Sequence, residues 1–240
     1  MTGPGDSRNR RPSLALLDAA ASRWPAREAA DPLGALDPIV SDVEPSDGRA
    51  ARSHRTRRAI VDAMRSLHAE GDLRPTAPRV AERAGVSLRT VWQQFADMET
   101  LLIEAGRRDL EVLLSLVQKI DPDQPLAVRI GLFTSQRTRV LEEMTPTWRA
   151  ARIHKPSSEQ LRRDTAQMIA RAKSELETVF ARELSQLQGD KRQHLLDALH
   201  TISIWAFWES MRTDLALGQR QARELFSATF TALLAEAGFR

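Results

Sequence analysis

Residues 76–95 read TAPRVAERAGVSLRTVWQQF, and this stretch decides the fold. Thr76 is placed to cap a short helix whose inner side carries Val80, Ala81 and Ala84. Gly85 follows at the bend, where a positive φ is tolerated by glycine without a steric penalty. Val86 plugs the inside of the turn, and Ser87 is placed to cap a second short helix. The inner face of that helix is Val91 and Phe95, and Ala81 is small because the second helix crosses close above it. Two short helices under these constraints form a helix-turn-helix, the arrangement that lays its second helix in the major groove of DNA.

The outer face of the second helix is then Arg89, Thr90, Gln93 and Gln94. Arginine reads guanine bidentately and glutamine reads adenine, so this face has the chemistry for base edges. Thr76, Arg79 and Ser87 suit phosphate oxygens, as do Arg52, Arg55, Arg57 and Arg58 on the preceding helix. The competing reading is a helical hairpin with an ordinary polar face. Charge weighs against it. Residues 1–48 carry 5 arginines and 8 acids, residues 49–98 carry 10 arginines and 5 acids, and residues 99–240 carry 20 basic and 19 acidic residues. The formal net charge of +3 is thus concentrated around the motif, the footprint of a phosphate-binding module. With only Lys119, Lys155, Lys173 and Lys191 as lysines, nearly all of that charge is guanidinium.

Outward from the motif the chain reads as helix. Ile60, Met64 and Leu67 mark a helix ending near Gly71. Asp97 is placed to cap a long helix that carries Leu102 to Ile120 and breaks at Pro122. Leu126 to Met144 form the next, ended by Pro146, and a short segment from Trp148 to His154 is closed by Pro156. Ser157 and Gln160 have capping-box spacing before a helix through Leu187. Asp190 then starts a helix running to Gly218, and a last one spans Gln219 to Ala237. The expectation is an all-α fold with three parts. Residues 1–50, rich in proline and acids, form a weakly ordered extension; residues 51–98 form the helix-turn-helix domain; residues 99–240 form a helical ligand-binding and dimerisation domain.

The run RAIVDAMRSLHAEGD followed by RVAERAGVSLRTVWQQFADMETL, within Arg58 to Leu102, resembles the DNA-binding domain of the TetR family of bacterial transcriptional regulators. The resemblance in sequence spans about fifty residues. Three positions depart from the family pattern: Trp92 stands where tyrosine is common, Gln94 where histidine is common and Met98 where lysine is common. In the family these positions often contact phosphate. Trp92 and Gln94 retain hydrogen-bonding groups for that contact, whereas Met98 does not.

The resemblance implies a homodimer on a palindromic operator, because two motifs must sit about 34–36 Å apart, or a multiple of that, to read successive turns. The segment from Ile202 to Met211 is apolar nearly all round, and the last helix adds a stripe. Leu199, Ile202, Phe207, Phe226, Phe230 and Leu233 are therefore expected at the subunit interface. The resemblance also implies an effector cavity in the helical domain, for which Phe133, Met144, Trp148, His154, Met168, Trp205, Trp208 and Met211 are the candidates, with Arg149 and Glu209 as possible polar anchors.

The expected function is that of a cytoplasmic regulator, a repressor by site occlusion, released from double-stranded DNA by a small-molecule effector. Alternatives are a helical dimer that has lost operator reading and serves as a ligand- or protein-binding module, or a constitutive DNA binder without effector. No cofactor, metal or enzymatic activity is expected. Cysteine is absent, the five histidines lack ligand spacing, and there is neither a glycine-rich phosphate loop nor a nucleophile elbow. No membrane partner is expected, since no apolar run approaches the roughly 18 residues of a membrane helix.

Overall fold

A computed structural model describes residues 48–239, so the expected extension lies outside the described residues up to residue 47. Eleven α-helices and one 3-10 turn make up the described chain, with no strand among the described residues. The first, α1 (Gly48–Ala69), turns its Ile60, Val61, Ala63, Met64 and Leu67 face inward. It packs on α2 (Ala77–Ala84) and α3 (Leu88–Gln94), the two rods of the motif. Val80, Ala81, Val91 and Phe95 close this head core, each nearly inaccessible to solvent.

The turn between the rods is as the sequence dictates. Gly85 has φ 66° and ψ 32°, the left-handed region. The Val86 N–H donates to the Ala81 carbonyl at 3.0 Å and the Gly85 N–H to that of Glu82 at 3.1 Å, so the last carbonyls of α2 are satisfied. Ser87 caps α3 through its Oγ, which accepts from the Thr90 N–H at 3.1 Å. Asp97 caps α4 (Met98–Leu116), accepting from the Thr100 N–H at 2.7 Å. Thr76 occupies the N-cap position of α2, but its side chain makes no capping bond.

The remaining helices form the body: α5 (Leu126–Glu143), α6 (Thr145–His154), a 3-10 turn (Lys155–Ser157), α7 (Glu159–Val179), α8 (Ala181–Ser185), α9 (Asp190–Ile202), α10 (Trp205–Thr213) and α11 (Gln219–Glu236). Its core joins Phe133, Leu176, Phe180, Leu199, Trp208, Phe226 and Phe230. The Phe133, Phe180 and Phe230 rings lie 5.1–5.6 Å apart, centre to centre. Head and body have separate hydrophobic clusters, and Ala150 of α6 and Leu161 of α7 belong to the head cluster.

Several expected boundaries are corrected. Helix α4 stops at Leu116, and Ile120 reaches the body core from the loop that follows. Pro146 starts α6 rather than ending α5, because at the first turn its missing N–H leaves no bond unmade. The cap of α7 is Ser158, not Ser157; its Oγ accepts from the Leu161 N–H at 3.0 Å. The single helix expected through Leu187 breaks at Phe180, which turns that ring into the aromatic cluster and brings Glu183 to Arg129. The helix expected to run to Gly218 breaks at Ser203, whose hydroxyl donates to the Leu199 carbonyl, while Ile204 is extended. That break brings Trp208 into the core, with its indole N–H donating to Glu142 at 2.8 Å. Tertiary burial sets each of these breaks, and helical periodicity cannot register it.

Candidate nucleic-acid interface

Helix α3 presents Leu88, Arg89, Trp92 and Gln93 to solvent, with Trp92 45% exposed. Val91 is fully buried beneath them, so the rod is held by one side and offers the other. Thr90 is half-buried and its hydroxyl lies 2.8 Å from that of Ser87. This holds the first turn of α3 rigid and leaves the Ser87 hydroxyl at its mouth. Arg52, Arg55 and Arg58 are exposed along the first half of α1. Ser53, beside Arg52, accepts from the Gln94 side-chain amide at 3.1 Å. That bond brings the start of α1 alongside the end of α3. Thr76 and Arg79 are exposed at the start of α2, where Arg79 pairs with Asp72 at 2.7 Å.

Two expected contact residues have internal roles instead. The Arg57 guanidinium lies 4.1 Å from the centre of the Phe95 ring, and its Nε donates to Glu104 of α4 at 2.9 Å. It also donates to the backbone carbonyl of Gln94. Arg57 is thus a joint between α1, α3 and α4. Gln94, with both its carbonyl and its amide engaged by α1, is a second joint. Ser53 and Glu104 complete these joints. Neither is legible in the sequence, because a serine and a glutamate on polar helical faces carry no motif. Met98, the third departure, packs against the head core.

The expected effector residues do not gather at one place. Phe133, Met144, Trp208 and Met211 are fully buried in body packing. Trp148 and Trp205 form a half-buried pair with ring centres 6.1 Å apart, the Trp205 indole donating to the Thr145 hydroxyl at 3.1 Å. Met168 is half-buried on α7. Arg149 and Glu209 neutralise each other at 2.8 Å. His154 lines a cavity of about 360 Å³, together with Met64 and His68 of the head.

The expected subunit interface is corrected in part. Leu199, Phe226 and Phe230 are completely buried within the chain, and Ile202 is buried beside them. One chain does bury this stripe, because α11 packs along α5 and α9. Phe207 and Leu233 are half-buried against the same core and keep part of their surface outside. Among the described residues, no group of three histidine or acidic side chains is arranged to hold a metal ion, and no helix is long and apolar enough to cross a membrane.

No protein-family model matches the sequence, and no curated protein matches it. Its fold is similar to that of a Mesorhizobium loti protein named, provisionally, a TetR-family transcriptional regulator. That match has a TM-score of 0.56 at 20% identity and covers 77% of this chain and 98% of the other. It is also similar to a Pseudomonas aeruginosa protein named, again provisionally, a transcriptional regulator, with a TM-score of 0.54 at 15% identity over 80% of this chain and 94% of the other.

Proposed function

We propose that this chain, which shares its fold with proteins named as transcriptional regulators, is itself a sequence-specific DNA-binding regulator of the TetR type. The observation that carries the reading is the free face of α3, with Arg89, Trp92 and Gln93 exposed directly after the left-handed turn at Gly85. Arg89 and Gln93 supply base-reading groups, and Trp92 and Leu88 supply apolar contact of the kind a thymine methyl accepts. Arg52, Arg55 and Arg58 flank that face and supply phosphate contacts.

One motif touches too few bases for a specific site, so the working unit is a homodimer on a palindrome. Support comes from apolar surface left at the end of the chain. Leu225 of α11 is 40% exposed, and Phe207 and Leu233 are only half-covered. Repression by occlusion of a site, release by a small molecule and action in the bacterial cytoplasm complete the proposal.

Selection from random duplexes with the full chain tests it. Enrichment of a palindrome, lost in Arg89→Ala, supports the reading. Recovery of unselected sequences only would overturn it in favour of a helical module without operator reading.

A further inference from the structure

Charge along α1 is one-sided. Residues 48–61 hold Arg49, Arg52, Arg55, Arg57 and Arg58, and the first acid of the helix is Asp62. Arg57 is held on Phe95 and Glu104. Arg52, Arg55 and Arg58 recur every third residue and are exposed, so they line one outer side of the helix. Guanidinium groups crowded there repel one another and face the positive end of the helix dipole, which favours anions.

The chain places anions directly before this stripe. Residues 33–47, LGALDPIVSDVEPSD, carry Asp37, Asp42, Glu44 and Asp47 and no basic residue. They join α1 at Gly48, so the acids are tethered to the arginines. The lengths match. Extended chain from Asp47 back to Asp42 spans about 16 Å, and the ten residues of helix from Gly48 to Arg58 rise about 15 Å. Pro45, Ser46, Asp47 and Gly48 are turn-forming residues at the point where the chain would have to reverse. Single surface ion pairs contribute little, but a short tether raises the local concentration of all four carboxylates to the millimolar range.

We propose that the acidic segment 37–47 docks along the Arg52, Arg55 and Arg58 side of α1 in the same chain, its carboxylates standing where phosphates would otherwise lie. A duplex must displace the segment before it meets these arginines, so the chain restrains its own affinity for DNA. Only that consequence rests on the DNA-binding proposal; the contact itself does not.

The chain has no cysteine, so Ser41→Cys gives the full chain one site for a nitroxide. In low salt the label broadens the amide resonances of Arg55 and Arg58. It broadens them less when Asp37→Asn, Asp42→Asn, Glu44→Gln and Asp47→Asn are added. The difference vanishes at 1 M salt, where the Debye length is about 3 Å. Mixing nitroxide-bearing chains with ¹⁵N-labelled chains that lack the nitroxide gives no broadening, as a contact within one chain requires. Equal broadening with and without the four carboxylates would overturn the proposal. Broadening in the mixture would overturn it too, in favour of the segment of a second copy. On a random-sequence duplex in low salt, the neutralised chain binds about tenfold more tightly, the scale of four surface pairs acting together. Unchanged affinity for the duplex refutes the competition. A chain that binds no duplex in either form defeats the DNA-binding proposal instead, and the broadening still decides the contact.

Discussion

Arg57 stacks on Phe95, its guanidinium carbon 4.1 Å from the ring centre, and the contact locks the first helix to the end of the reading helix. The same guanidinium bonds Glu104 on α4 and the carbonyl of Gln94. One of the five arginines in the first half of this basic helix is therefore spent on the internal geometry of the head. Its partners Arg52, Arg55 and Arg58 are exposed. This division predicts opposite phenotypes for neighbouring residues.

Arg57→Ala should destabilise the fold by about 2 kcal/mol, since it removes the cation–π contact and leaves Glu104 and the Gln94 carbonyl unmatched. Arg57→Lys should recover only part of that, because an ammonium cannot reproduce the forked donor geometry. Urea unfolding measures both. Arg52→Ala should leave unfolding unchanged while weakening binding to all duplexes and lowering the salt slope by about one unit. A loss of stability in Arg52→Ala together with an unchanged salt slope would reverse the assignment.

Arg89 and Gln93 lie on the exposed side of α3 and should carry sequence preference. Each alanine variant should lose about 1–3 kcal/mol on the selected operator and relax the preference at one base pair of each half-site. A uniform loss over all duplexes would make these residues phosphate contacts instead. Competition binding against single-base operator variants distinguishes the two.

Gly85 is a test of the turn itself. A Cβ there would meet no atom within 4 Å, so crowding is not the constraint. The cost of Gly85→Ala is that of a left-handed backbone for an L-residue, about 1–2 kcal/mol. Gly85→Asn should cost less, since asparagine visits that region with local hydrogen bonding. Thermal unfolding of the two variants should rank them in that order.

Arg129 and Glu183 form a buried bidentate pair in the body, at 2.5 and 2.8 Å. Burial pushes the Glu183 carboxyl up, but the Arg129 hydrogen bonds, a backbone hydrogen bond and the charges of Arg129 and Arg182 outweigh it and leave it below its usual value. A carboxylate so depressed stabilises the fold above its unfolded value, and that stability is lost as the pH falls through the folded value. Glu183→Gln should therefore be strongly destabilising near neutrality, by about 3 kcal/mol, because it leaves a buried guanidinium without its countercharge. It should also flatten the fall of stability in acid. The double variant Arg129→Met/Glu183→Leu should recover most of the loss at neutral pH. Urea midpoints from pH 3 to pH 7 give all three comparisons.

How far the sequence was readable follows the range of the interactions. The turn at Gly85, the caps at Ser87 and Asp97 and the inward Val91 and Phe95 were all legible, since each depends on residues within a few positions. The role of Arg57 was not legible, because Phe95 and Glu104 stand 38 and 47 positions away. The aromatic residues of the body were readable as buried, but not as core rather than cavity.

The all-helical class, the turn at Gly85 and the exposure of Arg89 and Gln93 were legible in the sequence alone, for they rest on local periodicity, glycine conformation and capping. The tertiary structure decided that Arg57 joins α1 to α3 and α4, where α7 and α9 break, and that Leu199, Phe226 and Phe230 close the chain's own core. It also decided that His68 and His154, 86 residues apart in the chain, line one cavity. Those outcomes depend on which faces meet in space, and helical periodicity says that a face is apolar without saying what covers it.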